Sequence, residues 1–189
     1  MKTLPMILVV GPSGSGKDTV TSLLSMRNGW RRIASYATRK PRYEGEDTHT
    51  FITDEEFDNL TDIVAYTNYN GHRYCATTQQ IDDCQLYVVD VPGVETLLQN
   101  YKGNKKFIAV IPVISEATRM MRMVERGDSD EKIKDRIAND RKDFENVEQR
   151  LTALLGRGNV AVMHYNSSTE IALAIENHLH TKGYEWETI

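Results

Sequence analysis

Met6-Ile7-Leu8-Val9-Val10-Gly11-Pro12-Ser13-Gly14-Ser15-Gly16-Lys17-Asp18-Thr19 passes from an unbroken apolar run, through a glycine-rich loop, into an amphipathic segment. The pattern predicts a buried strand, a tight loop and the first turn of a helix. Gly11, Gly14 and Gly16 allow backbone conformations closed to other residues, so successive N–H groups can converge on one anion. The helix start adds its positive dipole end to the same point. Lys17 supplies a mobile ammonium suited to β- and γ-phosphates. This is a phosphate-binding P-loop, formed by Ser13, Gly14, Ser15, Gly16, Lys17, Asp18 and Thr19. Its usual hydroxyl after the lysine is replaced by Asp18, with Thr19 next. That carboxylate either reaches a magnesium ion, directly or through water, or is an acidic first-turn residue favoured by the helix dipole.

At 189 residues, 40% hydrophobic and 26% charged, the chain is expected to be one domain with an ample core. A net charge of -4 argues against general nucleic-acid binding. No apolar run approaches the roughly 20 residues that cross a membrane, and no secretory signal opens the chain, so a cytoplasmic location is expected. Cys75 and Cys84 form no metal-spaced pattern and read as idle thiols. The five histidines show no ligand spacing.

Outward from the P-loop, apolar strand-like runs alternate with helical patterns. Strands are expected at Met6–Val10, Arg32–Tyr36, Gln85–Val91, Phe107–Val113 and Val160–Tyr165. Helices are expected near Lys17–Met26, Pro92–Tyr101, Ser115–Arg126, Asp130–Leu155 and Thr169–Thr181. Such alternation predicts an α/β fold of three layers, with a central parallel sheet of about five strands. The polar stretch 38–77 interrupts it. Short extended pieces at His49–Ile52 and Val64–Asn68, a turn at Asn70-Gly71 and a helix opened by Thr53-Asp54-Glu55-Glu56 predict a small inserted subdomain. The expected division is a core of 1–36, 78–125 and 142–189, a subdomain at 37–77 and a short lid at 126–141.

Thr38-Arg39-Lys40-Pro41-Arg42 follows the second expected strand, where ligands of doubly wound sheets sit. Two guanidiniums three residues apart suit bidentate capture of a second phosphate. Arg119, Arg122 and Arg126 share one helix face, Gly127-Asp128-Ser129 breaks the helix, and Arg136 and Arg141 follow. They form either a flap that closes over a triphosphate or an exposed charged helix balanced by Glu116, Glu125 and Asp128. Leu86-Tyr87-Val88-Val89-Asp90 ends a buried strand in an acid, as magnesium-organising strands do. Asp90-Val91-Pro92-Gly93 also fits a GTPase switch, but Asn104-Lys105-Lys106-Phe107 lacks the acid of the guanine-reading NKxD motif and precedes its strand.

The order of these motifs resembles the guanylate kinase family of nucleoside monophosphate kinases. Ser35-x-x-Thr38-Arg39-x-Pro41-Arg42 is similar to its S-x-x-T-R-x-P-R motif, and Gly45-Glu46 and Phe57 fall at similar places. Asn70-Gly71-His72-Arg73-Tyr74 resembles its G-N-Y-Y turn, and Val88 to Val94 its D-x-D-x-Q-G-V. Glu125-Arg126-Gly127 followed by Arg136 resembles its lid, and Tyr165-Asn166 its late asparagine near the adenine. The resemblance implies ATP and Mg2+, with ATP held by Ser13 to Thr19 and Asn166. It implies an acceptor nucleotide bound by Ser35, Arg39, Arg42, His49, Tyr74, Thr77 and Asp90. Lys17, Arg39, Arg122, Arg126 and Arg136 would neutralise the transferring group, and Asp18, Thr19 and Asp90 are the candidates near the metal. The implied partners are two small substrates, with no nucleic acid or membrane, and a monomer or homodimer.

Four positions depart from the pattern. Ala65 stands for the guanine-reading glutamate, Ala76 (with Thr77 adjacent) for a guanine-contacting hydroxyl, His49 for a phosphate-binding tyrosine and Val88 for the first Asp of D-x-D. Kinases of ribose 1,5-bisphosphate also resemble the chain, in GPSGSGKD and a histidine near His49. Their acceptor, a non-guanine monophosphate, and a non-catalytic guanylate kinase-like binding module are the alternatives.

Overall fold

The run Met6–Val9 forms β1 and is buried along its whole length, because strands without polar alternation are satisfied only between two apolar layers. The computed structural model describes residues 3–165 and 167–186. After β1 come α1 (Lys17–Asn28), β2 (Ser35–Ala37), β3 (His49–Phe51), α2 (Asp54–Asp58), β4 (Ile63–Tyr69), β5 (His72–Thr77) and α3 (Thr78–Asp83). Then follow β6 (Leu86–Val88), α4 (Val91–Asn100), β7 (Phe107–Val113), α5 (Glu116–Glu125), α6 (Asp130–Asp143), α7 (Val147–Leu155), β8 (Val160–His164) and α8 (Ser168–Thr181).

The central sheet is parallel, in the order β6-β1-β7-β8. Successive β1 residues serve opposite faces. Ile7 and Val9 pack with Val20 and Leu24 of α1 and Ile171 and Ile175 of α8. Met6 and Leu8 pack with Val94 and Leu97 of α4, Leu151 of α7 and Ala65 and Ala76 of the second sheet. Met123 of α5 with Ile133 and Ile137 of α6 makes a separate small cluster. Asp90, Ser115, Ser129 and Ser167 each accept a first-turn N–H at the start of α4, α5, α6 and α8, which fixes where these helices begin.

The central sheet has four strands rather than about five. Of the expected strand Arg32–Tyr36, only Arg32 bridges to Leu86, and Ile33 donates its N–H to the Leu86 carbonyl. From Ser35 burial alternates, and β2 leaves to pair with β3 and β5. Alternating burial suits a sheet covered on one side, whereas the central strands are apolar throughout. The second sheet, β3-β2-β5-β4, occupies the polar stretch. Its hairpin turns at Asn70 and Gly71, with φ of 51° and 76°, the left-handed pair favoured in two-residue hairpins.

Two further differences are local. The helical stretch 130–155 divides at Phe144–Asn146, where Asn146 takes φ 53°. The dense charge there hides the break, and asparagine tolerates the left-handed region without needing glycine. β5 and α3 were not expected; α3 is set by a capping box between Thr77 and Gln80. The tail is packed, with Trp186 donating to Asn28 at 2.8 Å, meeting Trp30 edge-on and stacking with His180. Both cysteines are free thiols, and burial pushes Cys75 up to about 12.

Candidate active site

The loop after β1 is shaped by neighbours as much as by its own glycines. Gly14 and Gly16 take φ of 74° and 87°. A Cβ on Gly14 would lie 2.6 Å from the Arg119 carbonyl oxygen, and one on Gly16 2.8 Å from Ser168 Oγ. Both glycines are therefore required by conformation and by space. Gly16 begins α1 without a side-chain cap, so no side chain competes for the first-turn N–H groups. Ser15 Oγ is buried and, among the described residues, has no hydrogen-bond partner. An uncapped helix start with an orphan hydroxyl is the donor set an anion would satisfy.

The loop is braced from α5 and α6. Asp140 accepts from Ser13 N at 2.9 Å and from Arg119 Nη1 at 3.0 Å, and Arg119 also donates to the Ser13 carbonyl at 3.2 Å. Arg122 Nη1 donates to the Gly14 carbonyl at 3.2 Å. Lys17 Nζ donates to the Pro12 carbonyl at 2.8 Å. Burial lowers the Lys17 pKa, Arg42 and Arg119 act in the same sense, and Asp18 and Asp140 oppose. An anion in the nest would relieve that cost.

The loop opens on a cleft of about 750 Å³ beyond the C-terminal ends of β1 and β6, with the second sheet on its other side. Of the expected site residues, Ser13, Gly14, Gly16, Lys17, Asp18, Thr19, Ser35, Arg42, His49, Tyr74, Asp90, Arg122, Arg126 and Arg136 line it. Asn166 lies outside the described residues. Arg42, with 36% of its side chain exposed, has its pKa lowered by burial and by the charges of Arg39, Arg136 and Arg126. Arg42 also acts on Lys17. Four cations from the loop, the second sheet and the α5–α6 junction thus share one field.

Two expected acceptor residues are engaged within the fold. Arg39 is 8% exposed. Its Nη1 and Nη2 bind Glu46 at 2.9 and 2.6 Å, Nη1 also donates to the Lys40 carbonyl, and its guanidinium lies 4.9 Å from the centre of the Phe51 ring. Glu46 also accepts from Arg42 N and Thr48 Oγ1, each at 2.7 Å. Burial alone would raise the Glu46 pKa, but these donors hold it well below the carboxylate range. The pair fixes the loop that carries Arg42. The Thr77 hydroxyl caps α3 by accepting from Gln80 N.

Ser35 Oγ and His49 Nδ1 are 2.8 Å apart, and His49 packs against Tyr74 with ring centres 5.3 Å apart. Burial first, then Arg39 and Arg42, lowers the His49 pKa to about 4, so the ring is neutral at pH 7. Asp90 accepts from Thr67 Oγ1 at 2.7 Å and from Gly93 N at 2.8 Å. Burial raises its pKa against those bonds. Its carboxylate is thus engaged in starting α4, which leaves Asp18 and Thr19, both exposed on the cleft rim, as the freer oxygen donors. Among the described residues no group of three or more His, Cys, Asp or Glu gathers as a metal cage. Two oxygen donors beside a phosphate nest still fit magnesium, which keeps most of its waters and takes phosphate oxygens.

Sequence reasoning missed Asp140, Thr67 and Tyr69. Tyr69 lines the cleft, and burial raises the pKa of its hydroxyl while Ser13 acts against that. None carries a local signal, since each acts on a residue distant in the chain.

The family described as AAA domain matches residues 7–152. The chain is 32% identical over 135 residues to a guanylate kinase of Clostridium tetani, covering 65% of this chain and 63% of that protein. It is 30% identical over 151 residues to a guanylate kinase of Mycoplasmopsis pulmonis, covering 70% and 76%. The C. tetani match thus spans less than two thirds of that relative's length. The crystal structure of guanylate kinase from Anaplasma phagocytophilum superposes with a TM-score of 0.58 at 18% identity, covering 98% of this chain and 89% of that one, so the fold is shared. With its P-loop, second sheet and arginine-bearing α5–α6 junction, the chain belongs to the guanylate kinase family.

Proposed function

We propose that the chain transfers the γ-phosphoryl group of ATP to the 5′-phosphate of a nucleoside monophosphate, GMP and dGMP being the acceptors that family membership favours. The observation that supports this reading is the convergence of Lys17, Arg42, Arg126 and Arg136 on one cleft of about 750 Å³. Ser13 to Thr19 hold the ATP phosphates. Ser35, Arg42, His49 and Tyr74 hold the acceptor, and Arg122, Arg126 and Arg136 meet the group in transit. The acceptor oxygen is already anionic, so no general base is required. Catalysis consists of aligning two anions and cancelling their repulsion. Magnesium, taken up near Asp18 and Thr19, supplies further charge neutralisation when bound.

Residues 37–77 act as the acceptor-binding subdomain and 126–141 as the lid, and closure excludes the water that would otherwise hydrolyse ATP. No helix among the described residues is long and apolar enough to cross a membrane. We infer a cytoplasmic enzyme of nucleotide metabolism acting on small molecules, as monomer or homodimer. The test is ADP release with ATP, Mg2+ and GMP. Lys17→Ala should lower kcat at least about a hundredfold with an unchanged melting curve. Near-normal turnover in that variant would remove the assigned role, and ADP release only with ribose 1,5-bisphosphate would replace the acceptor class.

A further inference from the structure

We propose that Tyr69 is a positioning residue that couples the two sides of the cleft, so that a nucleotide in the phosphate loop strengthens acceptor binding near Arg42, and the reverse. This rests on the phosphoryl-transfer reading above and names a residue through which its two binding events communicate. Tyr69 ends β4 at the tip of the β4–β5 hairpin and lines the cleft. Its hydroxyl oxygen is buried, so it acts on protein groups rather than on a ligand directly. Those groups are Ser13 of the phosphate loop and Arg136, Asp140 and Asp143 of α6, all of which influence its ionisation.

Ser13 and Asp140 are the two halves of the brace on the loop. Asp140 accepts from Ser13 N at 2.9 Å and from Ser13 Oγ at 3.3 Å, and it also acts on Lys17. One residue earlier in α6, Asn139 donates to Asn70 at 3.2 Å. The hairpin tip therefore meets the loop and the helix at one place. Its other strand leads toward Arg42. Arg73 N donates to Thr38 Oγ1 at 3.0 Å, and Thr38 N donates to the Arg73 carbonyl at 3.1 Å. Thr38 precedes Arg39, whose partner Glu46 accepts the Arg42 N–H.

Farther from the tip β4 is anchored, because Thr96 of α4 accepts from Tyr66 N at 2.8 Å and donates to the Tyr66 carbonyl at 3.1 Å. A displaced tip pivots about that anchor and carries Arg73 and Thr38 with it. Nucleotide phosphates order the loop, and an acceptor anion orders Arg42. The contact between Tyr69 and the brace is complete only when both sides are in place. Such a linkage is reciprocal, and couplings between sites commonly amount to about 5- to 150-fold in affinity. Loss of one neutral hydroxyl contact is worth about two- to tenfold of that.

The experiment is calorimetric titration of GMP with and without a saturating non-hydrolysable ATP analogue, in Mg2+, for the unaltered protein, Tyr69→Phe and Asn139→Ala, with melting curves for all three. The analogue should tighten GMP binding at least about fivefold in the unaltered protein. Tyr69→Phe should reduce that factor at least about threefold, with a smaller change in the Kd of either ligand alone. Asn139→Ala, which loosens the tip but keeps the hydroxyl, should reduce it about twofold. No tightening in the unaltered protein, or an unchanged factor in a folded Tyr69→Phe, overturns the inference and leaves phosphoryl transfer standing. Should Tyr69→Phe not fold, an unchanged factor in Asn139→Ala decides against it. Weaker binding of each ligand with the factor intact marks a merely structural role and overturns it as well. GMP that does not bind under either condition removes the acceptor reading and this inference with it.

Discussion

Arg39 and Arg42 look equivalent in the sequence, three residues apart around Pro41, yet their tasks differ. Arg39 shares a buried ion pair with Glu46, in which the two side chains are 8% and 1% exposed. Arg42 Nη1 lies 3.6 Å from the same Glu46 carboxylate, but 36% of its side chain is exposed and it lines the cleft. Arg39→Ala leaves a buried carboxylate without its partner and should cost about 3–5 kcal/mol in denaturant unfolding. Arg42→Ala should leave the melting temperature nearly unchanged and raise the acceptor KM about 10- to 100-fold, read by initial rates across acceptor concentration. Equal stability losses in the two variants would contradict the assignment. His49 gives a pH prediction. Its folded pKa of about 4 lies below the ordinary 6.5, so its contribution to stability is complete above 6.5 and is lost as pH falls through about 4. His49→Gln should remove on the order of 2 kcal/mol of the acid loss across that window, as followed by unfolding curves at each pH.

At the scale of elements, the P-loop is legible because its signal is local: an apolar run, glycines in register and a lysine at the helix start. Its bracing is not. Asp140 sits 127 residues from Ser13, and nothing in the charged run 130–143 distinguishes it from its neighbours. Asp140→Ala strands the buried Arg119 and releases Ser13, so stability should fall by about 3 kcal/mol. The KM for ATP should rise several-fold while the acceptor KM changes little, which initial-rate measurements separate. The same contrast runs through the other elements. β7 is found within its expected bounds because its apolar residues are contiguous. β5 escapes notice because Arg73 takes its cues from Thr38, Asp54 and Asp58 in other elements.

The whole molecule brings the two sheets and the α5–α6 junction around one cleft. A seam crosses it where Asn139 of α6 donates to Asn70 at the hairpin tip at 3.2 Å, with the buried Tyr69 hydroxyl beside it in sequence. The seam is exposed and worth little to the fold, so Asn139→Ala should change stability by less than about 1 kcal/mol. If it helps hold the cleft shut, the variant should raise ATP hydrolysis relative to acceptor phosphorylation a few-fold, measured as ADP formed per phosphorylated acceptor. An unchanged ratio would separate the seam from closure.

Strand–loop–helix identity, the alternation of apolar runs and the glycine and lysine register of the loop were all readable from the chain, because each depends on spacing within a few residues. Which arginine lines the cleft and which is buried against Glu46, which helix braces the loop, and where β2 leaves the central sheet were decided only on folding. Those outcomes depend on burial and on partners far apart in the chain, and these are properties of the assembled core.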